Sequence, residues 1–282
     1  MIRKVFYFIS ILLTLFSTSC KSQSTESNLN IQDSTSIAGW SLVWSDEFNY
    51  TGLPDSKKWG YDVAAPGWVN NEAQAYHENR LENSRVENGK LIIEARLDGY
   101  KNYPYSSARL VTKNRGDWTY GRFEIRAKIP FGKGTWPAIW MLPTDWNLGN
   151  KGWPDNGEID IMEHVGYDQG VIHGSTHCNK YVWTNGNQKT GTINIPDCSS
   201  TFHNYILEWS ATEIKVYVDG TLYFTNTNEN KGWQYWPFDK DFHLILNLAI
   251  GGSWGGAQGI DNNIFPQRME VEYVRVYKKA EK

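Results

Sequence analysis

Tyr120-Gly121-Arg122-Phe123-Glu124-Ile125-Arg126-Ala127-Lys128-Ile129 alternates without a break. Tyr120, Arg122, Glu124, Arg126 and Lys128 share one face of an extended chain, and Gly121, Phe123, Ile125, Ala127 and Ile129 share the other. Successive side chains of a strand point to opposite faces, so this period of two predicts a half-buried antiparallel strand. Working outward, further runs predict strands over 90–97, 108–113, 136–142, 158–164, 171–177, 205–209, 242–249 and 271–277. Asp219-Gly220 stands between Val216, Val218 and Leu222, Phe224, which predicts a hairpin with a tight turn. Helical periodicity is almost absent; a turn over 70–76 is its best candidate. Many strands joined by Gly-rich connections predict an all-β sandwich.

The 282 residues carry 28 Lys+Arg against 31 Asp+Glu, a formal net charge of -3. That balance offers no basic field for a phosphate backbone, which excludes nucleic acid as the expected partner. With 40% hydrophobic residues the chain is not disordered throughout. It also holds 14 Trp. An indole is costly to bury whole because its N–H needs a partner, so this many predicts ring-lined clefts, and sugar rings stack their C–H faces on such rings.

The first twenty residues read as an address. Arg3 and Lys4 precede a mostly apolar run from Val5 to Phe16, then Ser17-Thr18-Ser19-Cys20. The run is too short to span a bilayer and suits a secretory signal. Small residues before Cys20 resemble a bacterial lipoprotein signal, in which Cys20 would be freed and acylated; plain secretion is the alternative. The cell envelope, as an outer-membrane lipoprotein or an exported protein, is the expected location, with the membrane reached through the lipid anchor only. Residues 21–38, rich in Ser, Thr, Asn and Gln, read as a flexible tether. Residues 39–279 read as one domain, expected as a monomer. Cys178 and Cys198 remain, and export allows either a disulfide or two separate thiols.

The chemically distinctive segment is Gly157-Glu158-Ile159-Asp160-Ile161-Met162-Glu163-His164. Glu158 and Asp160 share a face, whereas Glu163 on a regular strand would point the other way. A β-bulge at Ile161-Met162 would absorb one residue and return Glu163 to the acidic face. Retaining glycosidases need such a pair of carboxyls, roughly 5–5.5 Å apart, one ionised as nucleophile and one protonated as acid. Crowded like charges favour that split. A solvated acidic face and a carboxylate metal site are the competing readings.

Glu158 to Glu163 resembles the active-site signature of glycoside hydrolase family 16, in the bulged form typical of laminarinase-like endo-β-1,3-glucanases. Trp44-Ser45-Asp46-Glu47-Phe48, Asn70-Asn71-Glu72, Ser107-Ala108-Arg109-Leu110, Tyr120 to Glu124, Gly134 to Leu142 and Leu246 to Gly252 match other family segments in order. The resemblance implies a concanavalin-like β-jelly-roll sandwich of two curved antiparallel sheets. It implies Glu158 as nucleophile, Glu163 as general acid/base and Asp160 as the assistant between them. It also implies sugar contacts from Trp136, Trp140, Asn71, Arg109 and His177; Trp153 and Trp254, in Gly-rich loops, are further candidates. No cofactor is implied for catalysis. A structural calcium is implied on Glu47, a Gly carbonyl and an Asp, whose place Glu272 takes here.

The expected function is retaining endo-hydrolysis of a β-1,3-glucan, the polysaccharide partner. Mixed-linkage glucan or galactan hydrolysis, or a non-catalytic glycan-binding lipoprotein on the same fold, are the alternatives.

Overall fold

The computed structural model describes residues 37–280. The signal segment, Cys20 and nearly all of the tether lie outside the described residues. Within them the chain forms β1 (Trp40–Asp46), β2 (Gly60–Tyr61), β3 (Gln74–Tyr76), β4 (Ser84–Glu87), β5 (Lys90–Leu97) and β6 (Tyr105–Ser107). Next come β7 (Arg109–Val111), β8 (Asp117–Trp118), β9 (Gly121–Lys128), β10 (Thr135–Pro143), β11 (Glu158–Glu163) and β12 (Val171–His177). The last are β13 (Lys189–Asn194), β14 (His203–Trp209), β15 (Glu213–Val218), β16 (Thr221–Thr227), β17 (Phe242–Ile250) and β18 (Gln267–Lys279).

These strands make two sheets. One runs β16-β15-β14-β9-β18-β5-β6-β3, with β1 on β18 and β4 on β5. The other runs β13-β12-β11-β10-β17-β7-β2, with β8 on β17. All pairs are antiparallel except β3 with β6, which is parallel. Phe123, Ile125 and Ala127 of β9 meet Ile159, Ile161 and Met162 of β11 in one core cluster, all fully buried. The opposite face of β9 sends Arg122 to Glu124 and Glu208, Arg126 to Glu272, and Lys128 to Glu270. Period two thus becomes a sandwich with one dry and one charged face.

The Asp219-Gly220 turn joins β15 to β16, with φ of 48° and 81°, the left-handed geometry that a two-residue hairpin requires. The turn expected over 70–76 is not helical. Asn70 and Asn71 take left-handed φ of 51° and 54°, and Ala73 donates its N–H to the Ile250 carbonyl. Pairing with another strand outweighs the helix preference of Glu72-Ala73-Gln74-Ala75. Cys178 and Cys198 are separate buried thiols.

Candidate active site

Gly157 opens β11 with φ of 88°, and a Cβ there would stand 3.0 Å from Phe238, Phe242 and Pro237. Only glycine turns the chain into the strand without moving that cluster. Along β11, Asp160 pairs with Trp140 and Met162 with Ile139, so Ile161 is the extra residue. The register with β12 shifts at the same place, between Asp160 and Glu163. The expected bulge is present. Ile161 and Met162 both enter the core, and the Tyr223 hydroxyl donates to the freed Ile161 carbonyl at 2.6 Å. Glu158 and Glu163 consequently open into one cleft of about 1100 Å³ across the second sheet, with Asp160 almost wholly buried between them.

Each glutamate receives an indole N–H. Trp153 donates to Glu158 Oε2 at 2.7 Å, and Trp136 donates to Glu163 Oε1 at 3.0 Å. Carboxyl oxygens of Glu158 and Asp160 lie within 4.8 Å of each other, two acids crowded into one buried space. His177 Nε2 lies 3.2 Å from Asp160 Oδ2. Burial, then the charge of Asp160, pushes Glu158 up to about 8, against the pull of His177 and of the Trp153 N–H. Burial, then the charge of Glu158, pushes Glu163 up to about 7. Asp160 is raised well above the carboxylate range by burial and by Glu163. The three acids therefore form a linked group that retains protons near neutrality, which lets one glutamate be ionised while the other is an acid.

The aromatic candidates converge on this cleft. Trp136 and Trp140 line it from β10, Trp254 packs edge-on against Trp136 and His173, and Trp153 lies beside His177. Trp140 donates its N–H to Asn247 Oδ1 at 2.7 Å. The Arg109 guanidinium sits between the rings of Trp68 and Trp140, 5.0 and 4.6 Å from their centroids, and pairs with Asp62 at 2.9 Å. Asn71 departs from expectation. It is exposed and outside the lining, because the left-handed turn presents its neighbour Asn70 to the cleft instead.

Trp68, Trp183, His173, Asn247 and Glu72 also line the cleft, although nothing in the sequence marks them as sugar contacts. His173 lies opposite Glu163 across the β11–β12 pair, a position visible only once the bulged register is known. Glu72 accepts from Gln74 and Tyr76, and burial raises its pKa.

Among the described residues, Glu158, Asp160 and His177 are the cluster able to offer a cation three ligand atoms, all within 4.8 Å of one another. Glu158 already accepts an indole N–H from Trp153. The calcium expected on Glu47 and Glu272 does not fit the residues present. Arg275 grips both Glu47 oxygens at 2.9 and 2.8 Å, and Arg126 holds Glu272 at 2.6 Å. Both carboxylates are thus already paired with guanidinium groups rather than free for a hard cation.

The model of glycosyl hydrolases family 16 matches residues 70–275. The chain belongs to glycoside hydrolase family 16. A beta-glucanase of Rhodothermus marinus is 53% identical over 247 residues, covering 86% of each chain. The X-ray structure of the laminarinase from Rhodothermus marinus superposes with a TM-score of 0.84 at 53% identity, covering 86% of this chain and 98% of that one. A non-specific endo-beta-1,3(4)-glucanase of the family superposes with a TM-score of 0.82 at 47% identity, covering 86% and 93%. The sandwich is thus the family's jelly roll, and the family 16 chain is a glycoside hydrolase.

Proposed function

We propose that this glycoside hydrolase is a retaining endo-β-1,3-glucanase acting by double displacement. One observation carries the reading: Glu158 and Glu163 open on one face of a bulged strand at the floor of a tryptophan-lined cleft that continues on both sides of them. Glu158 attacks the anomeric carbon while Glu163 gives its proton to the departing glycosidic oxygen. Water then attacks the glycosyl–Glu158 ester, Glu163 takes the water's proton, and two inversions leave the configuration retained. Asp160, in contact with Glu158, steadies the charge that appears when Glu158 leaves, and His177 positions Asp160. Aromatic walls suit a neutral glucan, and similarity to a laminarinase supports the β-1,3 linkage. Similarity to a non-specific endo-beta-1,3(4)-glucanase favours mixed-linkage glucan as a second substrate.

Product sizing after incubation with laminarin, lichenan, agarose, carrageenan and cellulose tests the substrate. Oligosaccharides should come from laminarin, and release from agarose or carrageenan alone overturns the reading. Roles separate by rescue on an activated glucoside. Glu158→Ala with azide should give the inverted glycosyl azide, and Glu163→Ala the retained one.

We further propose that the enzyme is exported and held at the membrane through acylated Cys20, with residues 21–38 as the tether. Cys20→Ala should lose lipid labelling and leave the membrane fraction; unchanged fractionation would reject the anchor.

A further inference from the structure

The sheet order β13-β12-β11-β10-β17-β7 sets the catalytic strand between two walls of the cleft. On the β10 and β7 side stands the Trp68–Arg109–Trp140 stack already described. On the β12 and β13 side stands Trp183, half exposed, in the connection between those strands.

Three features distinguish Trp183 from an ordinary exposed aromatic. Its ring lies against Trp153, with centroids 6.5 Å apart and planes tilted by 42°, so the two indoles form one surface leading to Glu158. Its loop is built and pinned. Trp183–Asn185 is a single 3-10 turn closed by Gly186 with φ of 65°, and the Asn187 side chain accepts from the Val182 N–H at 3.0 Å while donating to the Lys180 carbonyl at 3.0 Å. Asn179, just before this loop, donates to Asp155 at 2.7 Å and so ties it to the loop that carries Trp153. Farther along the same wall, β13 alternates half-buried and exposed residues, which turns Thr190 and Thr192 toward the cleft, Thr192 beside His173. An apolar plate fixed before any ligand arrives matches the flat C–H face of a glucosyl ring.

We propose that Trp183, continuous with Trp153, forms a glucosyl-binding subsite on the far side of the carboxylates from the Trp68–Arg109–Trp140 wall, so that a glucan chain is gripped on both sides of the bond to be cut. The proposal rests on the endo-glucanase reading and names the residues that give it its internal point of attack. A cleft filled on one side only would trim chain ends; grip on both sides requires chain to continue past the cleavage point in each direction.

The test has one arm that needs turnover and one that does not. In the intact enzyme, Trp183→Ala should lower kcat/KM on long-chain laminarin by roughly tenfold, the equivalent of one lost stacking contact. The loss on laminaritriose, too short to fill both sides, should be smaller, so the ratio of the two rates falls. Trp183→Phe should restore most of it. In a Glu158→Gln background, fluorescence titration with laminarin should show a comparable weakening for Trp183→Ala. Unchanged binding and an unchanged long-to-short ratio in Trp183→Ala would overturn the subsite. A parent enzyme that binds laminarin without cleaving it would instead overturn the activity, with the binding arm still deciding the subsite.

Discussion

Two indole N–H groups, one on each glutamate, set the proton balance at the residue scale. Both are donors only, so each favours the ionised form of the carboxyl it touches. Trp153→Phe keeps a flat ring and removes one donor, which raises Glu158 further. With Glu158 at about 8 and Glu163 at about 7, Glu158 is the later of the two to ionise, so the alkaline limb of the kcat/KM pH profile should move up by roughly one pH unit. Trp136→Phe acts on Glu163, the first of the pair to ionise, and should move the acidic limb upward instead. An exchange of the two limbs between the variants would reverse the order in which the two glutamates ionise. Arg109 is positioned differently: stacked between two rings and paired with Asp62, it is the rigid planar cation that a lysine could not imitate.

The decisive element is the bulge in β11, and its support comes from the other side of the core. Tyr223 sits on β16 of the first sheet and reaches Ile161, the extra residue of the second. Its hydroxyl is kept neutral by burial and by the charges of Asp160 and Glu163, as a donor to a carbonyl should be. Tyr223→Phe would leave that carbonyl buried without this partner, at a cost of about 1–3 kcal/mol. A lower melting temperature together with a reduced kcat is expected; a drop in stability with full kcat would mean that the bulge holds without its tyrosine. How far such elements can be read in a sequence depends on whether one face is buried. β9 and β11 write their faces into period two, and Ile161-Met162 marks the place where the period slips. β2, β3 and β8, at two or three residues, are too short to show any period. Trp68 and Trp183 carry no local sign of their role, because each becomes a cleft wall only when loops far apart in the chain arrive at β7 and β13. Asn71 lies outside the cleft lining for a smaller reason: a left-handed turn decides which of two adjacent asparagines faces the cleft.

Across the whole molecule, the groups needed for chemistry and those packed for stability pull on pH in opposite directions. Burial lowers His164 to about 4 and His243 to about 3, from an ordinary 6.5. Below 6.5 the unfolded chain takes up protons that these folded imidazoles refuse, so their contribution is lost as pH falls. The carboxyls behave oppositely. Glu158, raised from 4.5 to about 8, binds more protons folded than unfolded between those values, so its contribution is present below 4.5 and lost as pH rises through about 8. Glu163 and Asp160 share that sign. Between 4.5 and 6.5 the two effects oppose each other; above 6.5 the histidines are neutral in both states and the carboxyls act alone. The parent domain should therefore lose stability as pH rises from 6.5 to 8, and Glu158→Gln, which cannot ionise, should lose less. A tenfold change in proton affinity is worth roughly 1.4 kcal/mol, so the gap should reach several degrees in melting temperature. Thermal melts of both proteins across this interval provide the check. Parallel curves would mean that Glu158 is no costlier to ionise in the fold than in water, and the proton-holding triad would have to be abandoned.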